Sequence, residues 1–266
     1  IKRRDTLALG AAALLPAGAH ASGTATEVQG KKVLRYAFPT AETGFDPAQI
    51  QDLYSRTVIA GIIEAPLVFD FLARPFKMKP NTLVAMPQIS EDFRTFTFQL
   101  KPGIFFADDP AFKGARRELV AQDYVYSLKR HYDPRWNSPN LYRLEAVKIL
   151  GLSELRQQVL KDKQPFPYDR EVEGLRALDR YTFQFALCGL TGALAREVVE
   201  FYGDKIMEHP VGTGPFVLAE WRRSSRIVLA RNPNYREVLY DEEAPADDPR
   251  SQAIAAQLKG RRLPML

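Results

Sequence analysis

The chain has 266 residues, of which 45% are hydrophobic and 26% charged, with 16 Gly and 19 Pro, a profile that excludes disordered, collagen-like and low-complexity chains. Its 37 Lys and Arg against 32 Asp and Glu give a formal charge of +5, and the length suffices to bury a substantial core in one large domain or two ordinary ones. One cysteine, Cys188, excludes an internal disulfide framework and a four-cysteine zinc site, and the three histidines, His20, His131 and His209, make chemistry built on a histidine cluster improbable.

Residues 1–21 have the three parts of a secretory signal: the basic start Lys2-Arg3-Arg4, an apolar run from Thr6 to Leu15, and the small-residue ending Ala19-His20-Ala21. The run is about half of the roughly 20 residues that a membrane crossing needs. Arg3-Arg4 leaves the general and twin-arginine export routes both open, and part of the basic balance of the chain resides in this segment. Residues 22–31 are small and polar and read as a flexible leader.

Val33 to Phe38 alternates as a strand does and runs into the loop Pro39–Gly44, a usual place for ligand contacts. Ala48 to Ile63 has the spacing of an amphipathic helix, stopped by Pro66. Between Leu83 and Phe106 the period changes to two, with Phe96, Phe98 and Leu100 on one face and a turn at Lys101-Pro102-Gly103. Ala121 to Tyr132 is expected as a helix with Val125, Leu128 and Tyr132 on one stripe and Gln122, Asp123, Lys129 and Arg130 on the other, ending before Asp133-Pro134. Leu144 to Lys163 reads as a longer charged surface helix, Tyr181 to Leu187 as a strand, and Ala193 to Phe201 as a helix. Two strands, Phe216 to Trp221 and Ile227 to Arg231, precede Asn232-Pro233-Asn234-Tyr235. This irregular alternation favours an α/β or α+β fold.

No motif argues for catalysis. Gly212-Thr213-Gly214-Pro215 lacks the Gly-Lys-Ser/Thr and the following helix of a phosphate loop and reads as a structural turn. Asp108-Asp109, Glu242-Glu243 and Asp247-Asp248 lack the spaced oxygen ligands of a calcium site and read as solvated loops. His131 and His209 have no metal-binding neighbours, and no Gly-x-Ser-x-Gly occurs; Cys188 reads as a buried small hydrophobe. The clusters Arg116-Arg117, Arg222-Arg223-Arg226 and Lys259-Arg261-Arg262 are short, dispersed and balanced by acids, which argues against nucleic acid as a partner. No metal or cofactor is expected.

Several blocks taken in order carry a resemblance: Gly44-Phe45-Asp46-Pro47-Ala48, Ile63-Glu64-Ala65-Pro66-Leu67 with Phe69-Asp70, and Ile89 to Phe106. They continue with Val120 to Arg130, Leu178 to Phe183, Gly212 to Phe216 with Glu220-Trp221, and Leu229 to Tyr235. In this order they resemble the family 5 extracellular solute-binding proteins, the peptide- and oligopeptide-binding components of bacterial ABC importers. The resemblance implies an α/β (mixed α+β) fold of the type II periplasmic-binding kind over residues 32–266, with a first lobe plus an inserted smaller lobe and the second large lobe missing. It also implies a monomeric periplasmic receptor that closes around a peptide or similar small solute, hands it to permease subunits, and performs no chemistry.

Relatives are about twice as long, so the chain reads as an N-terminal fragment expected to bind peptide weakly by itself. The short Cys188-Gly189-Leu190-Thr191-Gly192 segment and Ala85-Met86 also depart from the family pattern. Carried over by position, the resemblance points to Gln51, Asp52 and Leu53 as main-chain contacts to peptide, to Asn140 and Tyr142 after Ser138-Pro139, and to Thr40, Glu42, Thr43 and Gly44 as cleft lining. Gly212 and Gly214 are assigned to backbone geometry, because glycine tolerates positive φ. A sensor without a transport role, and a non-peptide solute such as nickel, an opine, haem or a sugar, remain the alternatives.

Overall fold

Two short strands, β1 (Thr26–Val28) and β2 (Lys31–Val33), pair antiparallel in the computed structural model, which describes residues 26–28, 31–185 and 193–263. The expected signal segment, Cys188 and the rest of the short 186–192 stretch lie outside the described residues. Of the described residues, those up to Ala37 group apart from those from Phe38 onward. The strand expected over Val33–Phe38 ends at Val33, because an alternating pattern specifies extended backbone without supplying a partner strand.

In the second unit the helix expected from Ala48 is only α1 (Leu53–Ile59). Asp46 folds residues 46–50 into a turn, its Oδ1 accepting from Ala48 N at 3.1 Å and its carbonyl from Gln49 N and Ile50 N. Asp52 then caps the new helix, accepting from Ser55 N at 2.8 Å. A hairpin follows, β3 (Leu67–Phe69) against β4 (Met78–Pro80). Strands β5 (Gln88–Ile89) and β6 (Phe96–Gln99) lead to α2 (Ala121–Tyr132), whose bounds are those its periodicity predicts.

The expected single helix over Leu144–Lys163 is two, α3 (Leu141–Val147) and α4 (Leu152–Asp162), separated where Lys148 and Gly151 adopt positive φ. Their apolar stripe is buried at Leu144, Leu152, Leu155 and Val159. Next come β7 (Leu175–Ala177), β8 (Thr182–Phe185) and α5 (Arg196–Tyr202), the last beginning three residues later than expected, since Ala193–Ala195 pass through the core as non-helical chain. The chain closes with the hairpin β9 (Phe216–Arg222) and β10 (Arg226–Arg231), then β11 (Val238–Leu239), α6 (Pro249–Leu258) and β12 (Arg262–Leu263), which pairs with β11.

Strands β5, β6, β8 and β7 form an antiparallel sheet in that order, so the mixed fold is built from antiparallel pairs. On its buried face Phe98 stacks between Phe183 and Phe185 at 4.9 and 4.7 Å, and Tyr124 of α2 stacks on Phe183 at 5.1 Å. Every residue of α2 except Gln122 is buried or nearly so. Apart from Gln122, its polar stripe is therefore interior and neutralised by partners. Arg130, 1% exposed, makes a two-pronged pair with Asp46 at 2.7 and 2.8 Å beneath Trp136. Asp123 accepts from Arg117 at 2.7 Å, and Lys129 donates to the carbonyls of Tyr168 and Arg170.

The acidic pairs expected as solvated loops have structural duties. Asp109 accepts from Ala111 N and from Tyr202 OH, Asp248 caps α6 at Arg250 N and Ser251 N, and Glu242 accepts from Phe71 N while pairing with Lys79. His209 stacks on Tyr202 with ring centroids 4.0 Å apart.

Gly212 and Gly214 owe their identity to close approach, and positive φ is not involved, since neither adopts it. A Cβ on Gly212 would lie 2.1 Å from the carbonyl oxygen of Ile62, and one on Gly214 2.6 Å from the same atom. Gly214 N donates to Ile62 O at 2.8 Å, and Phe216 N to Gly61 O at 3.0 Å. Buried Asn232 locks the loop, its Nδ2 donating to Gly214 O. Replacing Gly212 by Ala is expected to cost about 3 kcal/mol or more, seen as a lower urea midpoint; an unchanged midpoint would show that the two segments can separate freely.

His131, 1% exposed, bonds Ser138 Oγ at 2.7 Å through Nδ1. Burial, helped by neighbouring Arg130 and only partly offset by Asp46, lowers its pKa from 6.5 to about 4. The unfolded chain thus binds a proton that the folded chain refuses, so stability is present above pH 6.5 and is lost as pH falls towards 4, by on the order of 2–3 kcal/mol. Asp123, raised from 3.8 to about 6 by burial against the pull of Arg117, contributes with the opposite sign over pH 4–6. Comparing wild type with His131→Asn in urea titrations from pH 7 to 4.5 isolates the histidine: the wild type should lose stability more steeply on acidification, and parallel curves would contradict the assignment.

Candidate functional site

The segment between Thr40 and Arg56 is an irregular loop, a turn and a short capped helix, and its shape is set by side chains reaching back to the main chain. Ser55 Oγ accepts from Thr43 N at 3.0 Å and from Gly44 N at 3.4 Å, while Thr43 Oγ1 donates to Asp52 Oδ2 at 2.5 Å. Hydrogen bonds from Ser55 and Thr43 outweigh the effect of burial on Asp52 and hold its carboxyl below the ordinary aspartate value. Thr43, Gly44 and Asp52 thus converge on Ser55.

Asn140 joins the same segment from far along the chain. Its Nδ2 donates to Ile50 O at 3.1 Å, and its Oδ1 accepts from Arg56 Nη2 at 3.1 Å. Gln51 and Leu53 flank these contacts and are exposed, Leu53 to 69%. Together, Gln51, Leu53, Arg56 and Asn140 place amides, a guanidinium and an apolar side chain at or near the surface.

The remaining candidates lie in other surroundings. Glu42 is 5% exposed, its Oε1 accepting from Trp221 Nε1 and from Ser224 N at the β9–β10 turn, so its carboxylate braces the loop. Trp221 also packs edge-on against Phe45, with centroids 4.8 Å apart. Gly44, at φ +149°, lies under Met207, whose Cε is 2.2 Å from where a Cβ would stand. Tyr142 is 63% exposed and accepts from Arg143 Nε at 2.8 Å, and Thr40 is exposed.

Ser55, Arg56 and Trp221 were not singled out from sequence as site-forming. The Asp52-x-x-Ser55 spacing is a helix-cap signature that could have marked the first; nothing local links Arg56 to Asn140, or Trp221 to Glu42. A separate cavity of about 470 Å³, lined among others by Asp133, Val159, Lys163, Phe166 and Tyr168, contains none of the predicted residues. Its acid is satisfied, Tyr168 OH donating to Asp133 at 2.6 Å. Among the described residues no three His, Cys, Asp or Glu side chains gather as a metal site, and no helix is long and apolar enough to cross a membrane.

Comparison with known proteins gives this architecture relatives. The chain is 26% identical over 234 residues to di/tripeptide-binding protein 2 of Pseudomonas aeruginosa, covering 82% of this chain and 41% of that protein. It is 26% identical over 204 residues to the periplasmic oligopeptide-binding protein OppA of Escherichia coli, covering 71% and 34%. Among solved structures, Haemophilus influenzae OppA in complex with the peptide RPPGFSPFR superposes with a TM-score of 0.57 at 24% identity, over 72% of this chain and 36% of that one. The chain therefore spans about two fifths or less of the length of these relatives. Residues 77–255 match the family described as bacterial extracellular solute-binding proteins, family 5 Middle, and the chain belongs to that family.

Proposed function

We propose that the protein is the substrate-binding receptor of an ABC importer, which binds peptides in the periplasm and delivers them to a membrane permease. The observation that carries this reading is the alignment of most of the chain with proteins named for di/tripeptide and oligopeptide binding. The local chemistry is consistent with it. Residues 50–56 and Asn140 offer main-chain groups and a few fixed polar side chains at the surface, which suits a ligand recognised largely through its backbone.

In this reading residues 1–21 direct export, residues 32–266 belong to the solute-binding domain, and the described fold contributes a first lobe with a smaller inserted lobe to a monomeric receptor. Closure then follows from contacts that the ligand makes better in the closed than in the open form. Thr40, Thr43, Gln51, Asp52, Leu53, Asn140 and Tyr142 line or border the binding surface, while Glu42 and Gly44 shape it from behind. Binding and release involve no bond making, so the protein is a receptor and not an enzyme.

Isothermal titration of the protein as the cell produces it, against peptides of two to five residues, tests the proposal. One-to-one binding with a negative heat-capacity change, and intact peptide recovered afterwards, is the expected outcome. Binding of a sugar, opine, haem or nickel with indifference to every peptide would overturn it.

A further inference from the structure

Asn140 occupies the N-cap position of α3, where an asparagine ordinarily turns its side chain onto its own helix, yet it makes no such cap. Its amide instead bridges Ile50 O and Arg56 Nη2, contacts separated from it by 90 and 84 residues. The bridge fixes a guanidinium at the surface while using one of its five N–H groups.

No acid among the described residues claims the rest. None of the ion pairs among the described residues includes Arg56. The acid placed to pair with it, Asp52 one helical turn earlier, is engaged by Thr43 Oγ1 and Ser55 N. Arg143 belongs to the helix that Asn140 opens, its backbone N–H donating to Asn140 O at 3.1 Å and its guanidinium Nε to Tyr142 OH at 2.8 Å, and it too is in no ion pair among the described residues. Leu53, three residues before Arg56, and Tyr142, two residues after Asn140, are exposed to 69% and 63%.

We propose that Arg56, held by Asn140, reads a carboxylate on the ligand, so that this receptor selects acidic peptides. The inference rests on the peptide-receptor reading above and names the substrate class for the same surface. A guanidinium fork matches a carboxylate in two parallel hydrogen bonds, which an ammonium cannot reproduce. The carboxylate read is that of an acidic side chain; the C-terminus, which every peptide carries, would give no preference for acidic peptides.

Calorimetry of the whole protein with Ala-Glu-Ala, Ala-Gln-Ala and the C-terminally amidated forms of both separates them. The Glu peptide should bind roughly tenfold tighter than the Gln peptide in either terminal form; equal binding of Glu and Gln peptides with a roughly tenfold loss on amidation of both would show that the terminus is read and would overturn the inference. Arg56→Gln should bring the Glu-to-Gln ratio to within about twofold of unity, Arg56→Lys should retain part of it, and raising salt should weaken it in the wild type and in Arg56→Lys but not in Arg56→Gln. Asn140→Asp, which supplies Arg56 with an internal carboxylate, should abolish the preference while leaving the guanidinium in place. Thermal melts establish that each variant is folded. A wild-type ratio near unity, or a ratio that Arg56→Gln leaves intact, overturns the inference while peptide receptor function stands; indifference of the wild type to all four peptides removes both.

Discussion

The buried pair between Asp46 and Arg130 is the interaction on which the arrangement of the surface patch depends. Both side chains are essentially inaccessible, at 0% and 1%, and they join a turn near the start of the second unit to the last turn of its central helix, 84 residues on. A pair so buried adds little net stability, because desolvation consumes most of the attraction; removing one partner alone would leave an uncompensated charge at a cost of about 3–5 kcal/mol. What the pair supplies is position. Burial pushes the Asp46 carboxyl up, but Arg130 and the hydrogen bonds from Gln49 and Ala48 leave it below its ordinary value, so it stays charged and the turn stays attached.

From that anchor the neighbouring contacts follow. The turn ends at Ile50, whose carbonyl is the one Asn140 binds, and the next residues begin the helix that Asp52 caps. On the other flank, Glu42 grips Trp221 and the β9–β10 turn, and Gly61–Ile63 runs against Gly212–Phe216 at main-chain contact. A second enclosed pair, Glu64 with Arg236, reinforced by Thr213 Oγ1 at 3.0 Å, closes the far end. An irregular segment of some twenty residues is thus held by side-chain contacts together with main-chain hydrogen bonds to Met207 and Gly214–Phe216, without a sheet ladder of its own.

How much of this could be read in advance divides along physical lines. The central helix and the strands around Phe98 and Phe183 were legible, because each buries one side of a regular pattern and the period of its apolar residues is the period of the element. The first helix was drawn too long, since apolar spacing over 48–63 cannot reveal that Asp46 folds a turn and that Asp52 restarts the chain as a cap. The last helix was overlooked: its side chains are not buried, so its signal was the Asp248-Pro249 start and no stripe. Nothing in the local pattern shows that the polar face of the central helix is interior, because the carboxylate and carbonyls that receive Arg130 and Lys129 are 39 to 84 residues away in sequence. The patch was half legible for the same reason. Local spacing marks Asp52 and Ser55, whereas the Arg56–Asn140 contact exists only in three dimensions.

The closeness of Gly212 and Gly214 to Ile62 also has a temporal side. A chain that emerges N-terminus first, from a ribosome or through a translocation channel, presents residues 42–64 long before Met207, Gly212–Phe216, Trp221 and Arg236, which complete their hydrogen bonding, have arrived. Contacts of such sequence separation are slow to form, since the intervening loop must be closed before they repay its entropy. The segment from Glu42 to Glu64 is therefore among the last parts of this unit to be finished, although its residues are among the first of the unit to appear.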